Sequence, residues 1–159
     1  MFKKILYPTD FSESAGAALE YVKKLRDAGA EEVILLHVYD SRAIDLRWEI
    51  ESEYRNLPVK EAKHDVVKRM LEASYERLEG LKSELEQSDL KTELIVIEGI
   101  PYQEIVNTAK DKGVSLIVMG SHGEHGLVER IVGSTTGRVL RETPVPILVV
   151  RPRKEGKTR

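Results

Sequence analysis

Five short apolar runs punctuate this chain, with stretches of helical periodicity between them, and that alternation limits the possible folds more than any other feature. The first run is Ile5, Leu6 and Tyr7, stopped by Pro8. The second spans residues 33–38 and is apolar apart from His37, as a strand buried on both faces requires. Residues 94–97, 116–119 and 147–150 follow, ended by Gly99, by Gly120 and by the flanking Pro146 and Pro152.

Helical patterns fill the gaps. Ser12 is a suitable N-cap for a helix carrying Ala15, Ala18, Leu19, Val22 and Leu25 on one face, with Gly29 as its stop. A longer helix over residues 61–87 sets Val67, Met70, Leu71, Leu78, Leu81 and Leu85 along one stripe. Pro101 suits the first turn of a helix carrying Ile105, Val106 and Ala109 and closed by Gly113. A last helix begins near Ser134 and carries Val139 and Leu140. Residues 41–58, with Trp48 and Tyr54, show no clean period and are expected to be a partly helical insertion.

Strands that alternate with helices predict a parallel sheet, because parallel neighbours need crossovers of about a dozen residues. Right-handed crossovers lead to a three-layer, doubly wound α/β fold: five parallel strands in the order 3-2-1-4-5, with helices on both faces. Ligands of such sheets bind beyond the carboxyl ends of the strands, where the winding reverses. Here that point lies between strands one and four. It selects the loop at Pro8, Thr9 and Asp10, and the loop from Gly120 to Gly123.

The second loop opens a glycine-rich segment. Two residues separate Gly120 from Gly123, nine separate Gly123 from Gly133, and Ser134 and Thr135 follow at once. Glycine lets the main chain approach a ligand closely, and a helix start offers unpaired N–H groups to a phosphate. The hydroxyls of Ser134 and Thr135 can donate to phosphate oxygens. Gly126 and Gly137 fall outside this spacing; they are read as a loop glycine and a helix-packing glycine.

In these residues the chain resembles the universal stress protein family, and in particular its ATP-binding, archaeal-type branch. That branch carries Gly, two residues, Gly, nine residues, Gly and Ser or Thr, matched by Gly120, Gly123, Gly133 and Ser134. The likeness extends over residues 4–12, 33–38, 99–101 and 146–150. It implies an adenine nucleotide in the crevice, with Asp10 near the adenine end, Pro8 and Thr9 on the sugar side, and the Val38 main chain at the adenine edge. Met119 and Gly120 would flank the ribose and phosphates, while Gly123, Gly133, Ser134 and Thr135 would cradle the phosphates. The implied cofactor is ATP, with Mg²⁺ or Mn²⁺ bound through its phosphates. The implied role is a nucleotide-dependent regulatory or sensing module in stress response. Two alternatives stay open: a slow ATP hydrolase or phosphotransfer protein using the same site, and a nucleotide-free interaction protein of the same fold.

Composition narrows the remaining classes. Basic and acidic residues number 25 and 27, a net charge of −2, which calls for no nucleic acid. With no cysteine, a thiolate nucleophile, a thiolate metal site and a disulfide framework are all excluded. The apolar start is broken by Pro8, too early for a signal or a membrane span, so a cytoplasmic protein without membrane contact is expected. Residues 1–152 are expected to form one nucleotide-binding domain, followed by a basic, solvated tail over 153–159. His122 and His125 are spaced for a metal but have no further ligand nearby except Glu124 and Glu129, and are read as solvated loop histidines near phosphate; His37 is read as a satisfied core histidine. Neither a catalytic residue nor a protein-borne metal site is assigned. The fifth strand lies at a sheet edge and is apolar over residues 145–150, so a homodimer built on it is expected, with a monomer shielded by the tail or the insertion as the alternative. The downstream protein partner is not identified by the sequence.

Overall fold

The computed structural model describes residues 1–55, 59–122 and 132–152; the side chains of Arg47 and of residues 50–63 lie outside that description. In chain order the elements are β1 (Lys4–Pro8), α1 (Glu13–Lys24), β2 (Glu32–Tyr39), α2 (Ser41–Arg55), α3 (Val59–Glu86), β3 (Lys91–Glu98), α4 (Pro101–Asp111), β4 (Leu116–Gly120), α5 (Ser134–Glu142) and β5 (Ile147–Val150). The five strands form one sheet in the order β3-β2-β1-β4-β5, and every pairing is parallel. This is the predicted winding, with its reversal between β1 and β4.

Alternation along each strand divides the core in two. Ile5, Tyr7, Val33, Leu35, Leu116 and Val118 face α1 and α3, where Ala18, Val22, Leu78 and Leu85 meet them. Their neighbours Leu6, Ile34, Leu36, Ile117 and Met119 face α4 and α5, against Ile105, Val106, Ala109 and Val139. Both sides of β1, β2 and β4 are thus dry, which is why those runs are continuously apolar. Each buried Leu or Ile side chain removes apolar area worth about 1.5–3 kcal/mol.

Local signals set the helix ends. Ser12 caps α1, its hydroxyl oxygen accepting the Ala15 N–H at 3.2 Å. Pro101 starts α4. Gly29 (φ 95°) and Gly113 (φ 59°) provide the left-handed turns after α1 and α4.

Three expectations change. Residues 41–58 were read as a partly helical insertion; residues 41–55 are the continuous helix α2, and Pro58 lies outside the described residues. Helix α2 packs on α3, and none of its described side chains is fully buried, Leu46 being exposed. Along α3 only the C-terminal half is seated: Leu78 and Leu85 are buried, whereas Met70 is exposed. On α5, Val139 is buried and Leu140 is exposed, and a Cβ on Gly137 would meet nothing nearer than the Arg141 side chain at 3.8 Å. Among the described residues nothing therefore requires Gly137 for packing. No helix among the described residues is long and apolar enough to cross a membrane.

Candidate functional site

At the carboxyl ends of β1 and β4 the sheet splits, because α1 leaves toward one face and α5 covers the other. The gap is a cleft of about 570 Å³, counting its open mouth.

The β1 side is held by its own polar groups. The Thr9 N–H extends the ladder to the Leu36 carbonyl at 2.9 Å. Beyond it the chain turns through Phe11, whose φ of 64° is unusual for a bulky residue and costs on the order of 1–3 kcal/mol. The turn is secured by the Phe11 N–H on Thr9 Oγ1 at 3.1 Å and the Ser12 N–H on Asp10 Oδ1 at 3.0 Å. His37 Nδ1 donates to the Thr9 carbonyl at 2.9 Å, so it is the satisfied histidine expected. The Tyr7 hydroxyl donates to the Ala15 carbonyl at 2.8 Å, and burial pushes its pKa up to about 12.

Val38 follows from the ladder. In a parallel pair the same main-chain edge recurs every second residue. The Leu36 carbonyl points at Thr9, so the N–H and C=O of Val38 point the same way, past the end of β1 at Pro8. Phe11, whose N–H a longer β1 would bring to Val38, is engaged with Thr9 instead. Val38 therefore presents main-chain groups to the cleft it lines.

Tight packing defines the β4 side. A Cβ on Gly120 would lie 2.4 Å from Ser14 Oγ and 2.6 Å from the Ser14 carbonyl carbon, so α1 itself demands the glycine. Thr136 Oγ1 donates to the Gly120 carbonyl at 2.9 Å, the Ser121 N–H to Val150 at 2.8 Å, and the Gly133 N–H to Ser121 at 2.8 Å. These bonds pin both ends of the glycine-rich segment. Helix α5 then starts at Gly133, which provides no side-chain cap, and its first turn holds no acidic residue. The N–H groups of that turn have no partner within the helix.

Of the predicted site residues, Pro8, Thr9, Asp10, Val38, Met119, Gly120 and Thr135 line the cleft together. Gly133 and Ser134 form the start of α5 beside them. Gly123 lies outside the described residues, as do His125, Gly126 and the tail over 153–159. The sequence reading missed Ala15, Leu36, Pro101, Ile105 and Thr136, which also line the cleft. Their apolar periodicity marked most of them as core, and only the winding rule could have placed them at the strand ends. His122 lines the cleft half-buried, its Nδ1 2.9 Å from Ser121 Oγ, rather than standing in solvent. None of the described lining residues is Lys or Arg, and the described residues contain no group of three or more potential metal ligands.

A sequence model of the universal stress protein family matches residues 1–151. Universal stress protein MJ0577 of Methanocaldococcus jannaschii is 44% identical over 156 residues, covering 95% of this chain and 96% of the relative. A solved structure of MJ0577 superposes with a TM-score of 0.80 at 41% identity, covering 98% of this chain and 99% of that one. Universal stress protein YxiE of Bacillus subtilis is 33% identical over 154 residues, covering 95% of this chain and 100% of its own. A family protein of Arabidopsis thaliana, solved with AMP bound, shares the fold at a TM-score of 0.66 and 15% identity, over 96% of this chain and 94% of that one.

Proposed function

This chain belongs to the universal stress protein family, and we propose that it binds ATP in the cleft between β1 and β4 and serves as a nucleotide-dependent regulatory or sensing module. The carrying observation is the uncapped start of α5. Gly133, Ser134 and Thr135 end the glycine spacing, and Thr135 lines the cleft together with Thr9, Asp10 and Val38. Open N–H groups and two hydroxyls suit a polyphosphate, and a main-chain edge with apolar walls suits a flat base. The Arabidopsis family protein of the same fold holds AMP, which supports the reading. With no cationic side chain among the described lining residues, Mg²⁺ or Mn²⁺ carried on the phosphates would balance their charge.

The test is to heat-denature the purified protein and identify the nucleotide released, then to follow ATP turnover by refolded or fresh protein. Adenine nucleotide at near one per chain supports the reading. A protein free of nucleotide that also fails to take up added ATP contradicts it.

The same proposal includes a homodimer. Among the described residues β5 pairs only with β4, and Ile147, Leu148 and Val149 along it remain partly exposed. Helix α2, one of the two candidate shields, sits on α3 over the opposite end of the sheet. A two-fold partner would pair the edge with itself. Light scattering over a dilution series is expected to give twice the 18.0 kDa chain mass; the single-chain mass at micromolar concentration would rule the dimer out.

A further inference from the structure

Behind the β1 side of the cleft, on the face covered by α1 and α3, Phe11 meets two side chains, His37 and Arg77, none of the three among the cleft lining. His37 and Phe11 have ring centroids 4.8 Å apart, and the Arg77 guanidinium of α3 lies 4.1 Å from the Phe11 ring centroid on its other contact. His37 donates from Nδ1 to the carbonyl of Thr9, the residue whose own N–H closes the ladder and whose side chain bonds Phe11 N–H. Phe11 is held at a positive φ, a conformation that surrounding contacts must maintain.

We propose that His37 is a positioning residue for base and sugar binding: it fixes the Thr9–Asp10 turn from behind, while Phe11, clamped by Arg77, holds the imidazole in place. This rests on the adenine-nucleotide reading above. The His37 imidazole meets the β1 turn through its bond to Thr9. Alternation along β2 sends Val38 to the cleft face and His37 to the opposite one. Removing the imidazole donor leaves the Thr9 carbonyl without that bond and frees the turn, but it leaves the α5 end untouched. Loss should therefore be confined to the base and sugar half of the ligand. Arg77 ties the turn to α3, so a shift of that helix would be felt at the same half.

The experiment compares the parent, His37→Leu and His37→Asn by calorimetry with three probes: ATP, adenosine and inorganic triphosphate. Asn can place an amide N–H where Nδ1 stands. His37→Leu is expected to weaken ATP and adenosine by a common factor of roughly five to ten and to leave triphosphate within about twofold. His37→Asn should recover most of that loss. In the nucleotide-free proteins, hydrogen exchange at the Phe11 and Ser12 amides should quicken in His37→Leu only, a readout that does not depend on any ligand. Unchanged adenosine affinity and unchanged exchange in His37→Leu would overturn the inference. So would a triphosphate affinity that falls in step with the others, which marks general loosening. A parent that binds neither ATP nor adenosine fails at the level of the nucleotide reading and takes this inference with it.

Discussion

Helices α1 and α5 both begin at the rim of the cleft, α1 after the β1 turn and α5 after the glycine-rich segment. At α1 the protein answers two of the donors and the charge: Ser12 Oγ accepts the Ala15 N–H, Asp10 Oδ1 accepts the Ser12 N–H, and Glu13 places a negative charge in the first turn. At α5 neither a cap nor an acidic residue is provided. A helix start carries about half a positive charge; side chains answer it at the first, and at the second no side chain among the described residues does. The contrast separates a side that keeps a shape from a side that keeps open donors. Shape suits the base, and open donors suit the phosphates.

Four perturbations break or sharpen that contrast. The largest effect is expected where the two sides meet. Gly120→Val would drive a side chain into the Ser14 main chain at the head of α1, and should cost about 3 kcal/mol in urea unfolding along with ATP affinity. Unaltered stability would mean that α1 and β4 are not held in this register.

The next concerns the closed side alone. The Tyr7 hydroxyl, bonded to Ala15, has its pKa raised to about 12 from 10.0. The fold thus favours the neutral phenol: that stabilisation is complete below pH 10, declines as pH rises from 10 to 12, and is gone above. Over this window the protein should lose about 2–3 kcal/mol that Tyr7→Phe does not lose. Parallel alkaline unfolding curves for parent and Tyr7→Phe would refute the assignment.

The remaining two exchange the helix starts. Ser134→Ala should lower ATP affinity by about 2 kcal/mol, the worth of a hydrogen bond to a charged group, with little change in melting temperature. Ser12→Ala should do the reverse, lowering stability by about 1 kcal/mol through the lost cap. If Ser12→Ala weakened ATP binding as much as Ser134→Ala, the division of labour between the two starts would fail.

The strands and their order were legible because β1, β2 and β4 are dry on both faces, so their runs contain almost nothing but apolar residues. Caps and stops were equally plain: Ser12, Pro101, Gly29 and Gly113 each act through local geometry that sequence alone displays. Helix α2 was not, since its described side chains are exposed or only half-buried and mark no clear period. The site was legible in part. Pro8, Thr9, Asp10 and Thr135 were found through the winding rule and the glycine spacing. Gly120 was found for a different reason than the structure gives, because its closeness to Ser14 depends on a contact between residues far apart in the chain. Thr136 and the His37 bond to Thr9 were hidden for the same reason: each joins segments that only the folded sheet brings together.

The central claim is that one cleft reads a base on its β1 side and a polyphosphate at the start of α5. Amide chemical shifts followed by NMR during titration with ATP and, separately, with adenosine test it most directly. ATP should move the amides of Thr9, Val38, Ser134, Thr135 and Thr136 along one saturating curve. Adenosine should move those of Thr9 and Val38 and leave the α5 amides in place. Shifts at the α5 amides with adenosine alone, or no saturable shift at Thr9 and Val38 with ATP, would contradict the account.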